Sequence, residues 1–254
     1  MDVAGDTLPI VELAEWFQTP PGQYVLAWER AQFDEQVADV FGFQAWQVGL
    51  PGIDLLRANR MPFKAVVGAE IATAEAAVTW RNGVAALPEA LPFESQSVDL
   101  LVLPHVFECT DSPHQVLREV ERVLMPEGRV VISGFNPWSL WGARNLMPGM
   151  EAWLPRPVSS QVSPLRMKDW LKLMSFDVDI TRLGCYAPPC RTDLWLRRWN
   201  FLEGQGRRMW AMGGAAYVVS ATKRVAGMRL IGPAWKKKRQ HARAASVVMH
   251  RDKA

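Results

Sequence analysis

The run Val98-Asp99-Leu100-Leu101-Val102-Leu103-Pro104 is apolar at both odd and even positions, with Asp99 the exception. A strand with one wet face alternates polar and apolar residues, so a run without alternation fits a strand covered on both sides. Arg129 to Gly134 (RVVISG) repeats the pattern. Between the two, Val116 to Leu124 sets Val116, Val120, Val123 and Leu124 on one helical face, with Arg118, Glu119, Glu121 and Arg122 on the other. A buried strand, an amphipathic helix and a second buried strand make a right-handed parallel crossover, so this stretch predicts an α/β sheet with helices on both faces.

The flanking sequence extends the pattern. Gln44–Gly49, Lys64–Glu70 and Ala76–Trp80 predict strands before the central one, and Phe176–Gly184 and Ala215–Val225 predict two after Gly134. Ile53–Arg60 and Leu165–Met174 predict helices. At the N-terminus, Leu8–Gln18 predicts a helix stopped by Thr19-Pro20-Pro21-Gly22. Tyr24–Phe41 predicts a longer helix with Val25, Trp28, Phe33, Val37 and Val40 along one face, and these two helices form a cap. The expected organisation is a helical cap over residues 1–42, an α/β domain over 43–225 and a basic tail over 226–254.

Charge separates the tail from the rest. From Ala221 to Ala254 there are ten Lys and Arg against one acid, whereas the first 220 residues carry nineteen basic and twenty-five acidic groups. Trp235–Arg243 (WKKKRQHAR) resists burial and reads as a solvated tail, whose contact with nucleic acid would be weak and electrostatic. Cys109, Cys185 and Cys190 are too few and too unevenly spaced for a disulfide framework or a zinc site, so no metal is expected. No run approaches the roughly 20 apolar residues of a membrane span, and the acidic N-terminus lacks a signal-peptide pattern, so membrane insertion is not expected and the location is read as cytoplasmic.

Two segments carry a resemblance. EALPFESQSVDLLVLPHVFE (Glu89–Glu108) followed by LREVERVLMPEGRVVISG (Leu117–Gly134) resembles class I S-adenosylmethionine-dependent methyltransferases of the type 11 branch. The resemblance runs from about Phe43 to Val225. It implies a Rossmann-like, doubly wound seven-stranded sheet, mostly parallel with the last strand antiparallel. It also implies S-adenosylmethionine as cofactor and a small-molecule acceptor of its methyl group. Such a donor is already activated, so the protein mainly holds two reactants in line and needs few catalytic side chains. Met125-Pro126-Glu127-Gly128 stands where the family turns into its fifth strand, with Glu127 at a usual glycine.

The resemblance places the donor pocket at Gln47, Gly49, Gly52, Glu70, Leu91 and Pro104. Its glycine motif is degenerate: Gln47 replaces an acid, Pro51 replaces the second glycine, and Gly52 is one place out of register. Glu70 follows Gly49 by 21 residues, the position from which a carboxylate grips ribose hydroxyls in nucleotide-binding α/β folds. His105 closes the central strand and is the catalytic candidate, able to orient an acceptor or take its proton, or else simply to pack. Glu108 is placed to orient His105, while His114 reads as a surface residue. Trp138, Trp141 and Trp153, with Met147 and Met150, form either an acceptor wall or a hydrophobic lining under the cap.

The loop leaves a second reading open, that of a non-catalytic relative serving as a binding or regulatory module. A dinucleotide oxidoreductase fits poorly, since no G-x-G-x-x-G is present. A base methylase also fits poorly, because Phe135-Asn136-Pro137-Trp138 follows the fifth strand rather than the fourth.

Overall fold

A computed structural model of the chain describes residues 9–68, 80–147, 153–155, 160–199, 203–204, 206 and 210–224. The strands are β1 (Gln44–Val48), β2 (Phe63–Gly68), β3 (Gly83–Ala85), β4 (Val98–Pro104), β5 (Leu124–Phe135), β6 (Phe176–Gly184) and β7 (Ala216–Lys223). They form one sheet in the order β3-β2-β1-β4-β5-β7-β6, with β4 in the middle. The pairs from β3 to β5 are parallel, and β7 runs antiparallel to both β5 and β6. This is the doubly wound, seven-stranded, mostly parallel sheet with an antiparallel last strand that the resemblance implies.

The non-alternating run of β4 is explained by its two coats. Leu100 and Val102 join a core that includes Leu13 of helix α1 (Pro9–Trp16), Phe17 just after it, and Val25 and Phe33 of α2 (Pro20–Val37). Leu101 and Leu103 join the opposite core, with Val116, Val120 and Val123 of α3 (Pro113–Val123) and Met167 and Leu171 of α5 (Pro164–Leu173). The short α4 (Leu140–Asn145) follows β5, and α6 (Asp193–Arg198) follows β6.

Four expectations change in detail. Thr19-Pro20-Pro21-Gly22 starts α2 as well as stopping α1: the Thr19 hydroxyl accepts from the Gly22 N–H at 3.3 Å and donates to the Trp16 carbonyl at 2.7 Å. The prolines fall in the first turn, where no N–H partner is lost. Ile53–Arg60 is not a helix. Side chains take its backbone groups instead: Asp54 accepts from the Leu56 N–H at 2.8 Å, Asn59 from the Met61 N–H at 2.9 Å, and Lys64 donates to the Leu56 and Asn59 carbonyls. Leu124 opens β5 rather than closing the helix before it. The third strand is Gly83–Ala85; the expected Ala76–Trp80 falls on residues outside those described, except Trp80, which lies in no strand. The basic tail also lies outside the described residues.

Glu127 sits at φ 64°, the left-handed conformation that a glycine takes without strain. Residues 125–128 bulge between the Val98–Leu124 and Leu100–Arg129 pairs, and the Glu127 carboxylate meets Arg224 just past β7.

Phe33 of α2 is fully buried in the core under the cap. Phe33→Ala is expected to lower stability by about 3–5 kcal/mol in urea unfolding. A loss below about 1 kcal/mol would show that the cap packs apart from the sheet.

Candidate functional site

The strand order turns at β1: β2 lies on one side and β4 on the other, so the crevice beyond their carboxyl ends is a topological switch point, where open α/β sheets bind ligands. Gly49 follows β1 there at φ 84°, with Leu50 next at φ 46°. The Gly49 N–H is held by the Val67 carbonyl of β2 at 2.7 Å. A Cβ added to Gly49 would meet Ile10 of α1 and Val106 beyond β4 at 3.5 Å, ordinary contact distances, so the conformation and not crowding calls for glycine here. Ile10 and Val106 therefore form an apolar wall over the buried Gly49 backbone, and the Pro104 carbonyl lies 3.9 Å from the same point.

Gln47 is fully buried and turns inward. Its Nε2 lies 3.1 Å from the Gly49 and Leu50 carbonyls and 2.7 Å from that of Ile53, while Oε1 accepts from the Leu55 N–H at 3.0 Å. A carboxylate in this place would face three carbonyl oxygens with no hydrogen to offer. Glutamine is thus the residue this loop requires, and its position fixes the irregular turn through Pro51 and exposed Gly52.

His105 closes β4 at φ 52° and is completely buried. Its Nδ1 lies 2.8 Å from Oε2 of Glu108, and its Nε2 lies 2.8 Å from Oε1 of Glu29 on α2. Glu108 also accepts from the Phe135 N–H at the end of β5. Phe17 packs edge-on to the His105 ring at 5.4 Å, and Phe135 lies on it at 4.4 Å. Burial by itself would depress the imidazole's pKa, but Glu29 and Glu108 hold the proton and push it up to about 10. The ring is therefore an imidazolium at neutral pH, clamped between two carboxylates. Burial raises Tyr217, helped by Glu108, and burial raises Cys185, helped by Glu203 and then Glu29.

A second clasp lies beside the first. Glu203 accepts from the Tyr24 hydroxyl of α2 and from the Cys185 and Tyr186 N–H groups at 3.3 and 3.0 Å.

The other sequence candidates separate. Leu91 is buried, its N–H donating to Glu119 at 3.0 Å and its carbonyl accepting from Arg122 at 2.9 Å. Glu70 and Met150 lie outside the described residues. His114 is exposed, its ring tilted against that of Trp170 with centroids 4.3 Å apart. The tryptophans divide: Trp141 and Trp153 are buried, with the Trp141 indole N–H donating to the Ala187 carbonyl at 2.7 Å, while Trp138 is 69% exposed. A shallow cleft of about 240 Å³ between α3 and α5, lined by His114, Leu117 and Trp170, lies on the sheet face opposite the cap.

The residue that sequence reasoning missed is Glu29. It lies four residues from both Val25 and Phe33, in the inward stripe of α2. A carboxylate in such a stripe is buried only with a partner, which is the signal that could have found it.

Residues 48–132 match the family model described as a methyltransferase domain, about a third of the chain. The protein YafS of Escherichia coli K12 is 46% identical over 96 residues, covering 37% of this chain and 39% of that protein. The match thus spans well under half of that relative's length. An S-adenosylmethionine-dependent methyltransferase from Thermotoga maritima superposes with a TM-score of 0.58 and 15% identity, over 83% of this chain and 93% of that one. Another from Mesorhizobium loti superposes at 0.54 with 14% identity, over 76% and 96%. The sheet is that of class I S-adenosylmethionine-dependent methyltransferases, and its central stretch carries the methyltransferase-domain sequence pattern.

The imidazolium's effect on stability has a definite sign. A base with a raised folded pKa stabilises the fold fully below its unfolded value of 6.5, and that contribution is lost as pH rises through about 10. Cys185 and Tyr217 add to the same alkaline loss, because their unfolded forms ionise first. His105→Gln should cost about 3–5 kcal/mol near pH 7, the range for breaking a buried pair by removing one partner. Urea midpoints from pH 6 to 10 should fall more steeply for the native chain than for His105→Gln. Parallel curves would show that His105 is not protonated in the folded state.

Proposed function

We propose that the chain is an S-adenosylmethionine-dependent methyltransferase acting on a small-molecule acceptor. The observation that carries this is Gly49: a glycine at positive φ, at the switch point between β1 and β4, in the stretch that matches the methyltransferase domain. The donor set fits such a cofactor in kind. Gly49 lets a ligand approach the main chain closely. Ile10 and Val106 supply an apolar wall, Pro104 a carbonyl, and Gln47 the rigid turn that carries Gly52. Leu91 is proposed to line the adenine side, with Glu70 receiving the ribose hydroxyls. When bound, the cofactor supplies a methyl group already activated by its sulfonium.

The chain's own residues then have three tasks. The Gly49 turn holds the donor in one orientation, and the cap over Gly49 excludes water. His105, with both ring nitrogens engaged, cannot accept a proton from a substrate. Its proposed role is to position, fastening α2 to the ends of β4 and β5 so that the acceptor side keeps its shape. An acceptor that must lose a proton then gives it to solvent, and one with a free lone pair needs no base.

One observation favours a second reading, that of a non-catalytic relative. Ile10 and Val106 already cover Gly49, so a ligand must share or displace that cover.

Calorimetric titration separates the two. S-adenosylmethionine and S-adenosylhomocysteine should each bind saturably at one site. Glu70→Ala should weaken that binding by about 1.5–3 kcal/mol, the cost of a lost hydrogen bond to a charged group. No heat with either ligand would support the non-catalytic reading. Unchanged affinity in Glu70→Ala would remove Glu70 from the donor site.

A further inference from the structure

The segments that leave β5, leave β6 and enter β7 all emerge at the sheet edge that bears Gly49 and His105. They are tied to one another. Asn136 donates to the Met212 and Gly214 carbonyls at 2.7 and 2.9 Å and accepts from the Trp138 N–H at 3.1 Å. Tyr186 donates to the Ala211 carbonyl at 3.2 Å, and Trp141 bridges to Ala187.

These tied segments expose large apolar side chains. Trp138 is 69% exposed and Leu194 82% exposed, with Leu140, Leu146, Trp195 and Trp210 also in solvent. Exposed apolar side chains gathered on segments of one sheet edge are the kind of surface that takes part in interactions. Two of the described basic side chains lie in the same segments. Glu203 is turned inward on Tyr24 and two backbone N–H groups. Arg191 and Arg198 are exposed, and Arg198 lies over the Trp195 ring at 5.4 Å. The opposite edge of the sheet also exposes aromatic rings, Phe41 and Phe43, but beside Asp39 and Asp99. Among the described residues, an exposed tryptophan meets an exposed arginine at the Gly49 edge, in the Trp195–Arg198 pair.

We propose that this edge docks on an anionic lipid surface, with the exposed tryptophans in the headgroup layer and Arg191 and Arg198 on the phosphates. On the methyltransferase reading above, the acceptor is then an apolar molecule that partitions into that surface. Indole rings settle at the boundary between headgroups and acyl chains, and basic side chains near them gain from negative lipid. The aliphatic members of the patch decide against single-stranded nucleic acid, which takes flat stacking platforms along a basic groove. Leu140, Leu146 and Leu194 offer no such platform but gain from burial at an acyl boundary. No described helix is long and apolar enough to cross a membrane, so the docking is peripheral.

The test is vesicle co-sedimentation of the full chain with phosphatidylcholine alone and with added phosphatidylglycerol, at low and high salt. Binding should require phosphatidylglycerol and weaken with salt. The double variant Trp138→Ala, Trp195→Ala should bind about tenfold more weakly, a change of about 1.4 kcal/mol, at an unchanged melting temperature. Vesicles of brominated phosphatidylcholine and phosphatidylglycerol should quench tryptophan fluorescence in the native chain, which needs no variant. Absent sedimentation, sedimentation equal in native and variant chains, or single-stranded RNA binding in place of vesicles would each overturn the proposal. A parallel titration with S-adenosylmethionine keeps the two readings apart. Vesicle binding without donor binding supports the docking surface and overturns the acceptor assignment.

Discussion

Three ionisable side chains hold the working edge of this molecule together. Glu29 comes from the cap, His105 from the end of the central strand, and Glu108 from the turn that follows it. Each alone would be costly to bury. Together they satisfy one another: the imidazole takes both carboxylates, and Glu108 takes the Phe135 N–H as well. Because Glu29 lies on α2, Glu108 reaches β5 and His105 ends β4, the cluster sets how the cap sits over the sheet. The cap in turn places Ile10 above Gly49.

The Gly49 turn shows how a degenerate motif keeps its shape. A glycine-rich loop exposes N–H groups to a ligand, whereas this turn has Pro51, which has none. The shape comes instead from below, where Gln47 gathers the carbonyls of Gly49, Leu50 and Ile53 and the N–H of Leu55. One buried amide thus replaces the adaptability of two glycines. It leaves the left-handed backbone at Gly49 and Leu50 in place, at a cost of roughly 1–2 kcal/mol for the non-glycine Leu50.

The sheet was legible because its central strands are buried on both faces, which erases alternation in β4 and again in the second half of β5. The crossover helix was legible for the complementary reason, since Val116, Val120 and Val123 face the core and Arg118 faces water. Where the reading went astray, side chains had replaced regular backbone pairing. Ile53–Arg60 has helical spacing, but Asp54, Asn59 and Lys64 take the backbone groups a helix would use. The candidate site was only partly legible. Gly49, Glu108 and His105 follow from their places after strands, and the His105–Glu108 contact follows from their spacing. Glu29 lies 76 residues from His105, and no local pattern names a partner at that distance. Nor does any local pattern separate exposed Trp138 from buried Trp141, since that depends on which ring the cap covers.

The central claim is that a donor binds at Gly49 beneath the cap that the Glu29–His105–Glu108 cluster holds. Methyl-labelled protein titrated with S-adenosylhomocysteine tests it directly, with the Ile, Leu and Val methyl resonances followed by NMR. The account predicts saturable shifts of Ile10 and Val106, while Leu171 and Leu173 on the far side of the sheet stay fixed. Binding that leaves Ile10 and Val106 unmoved would contradict the site, and no shift at any methyl would contradict the donor.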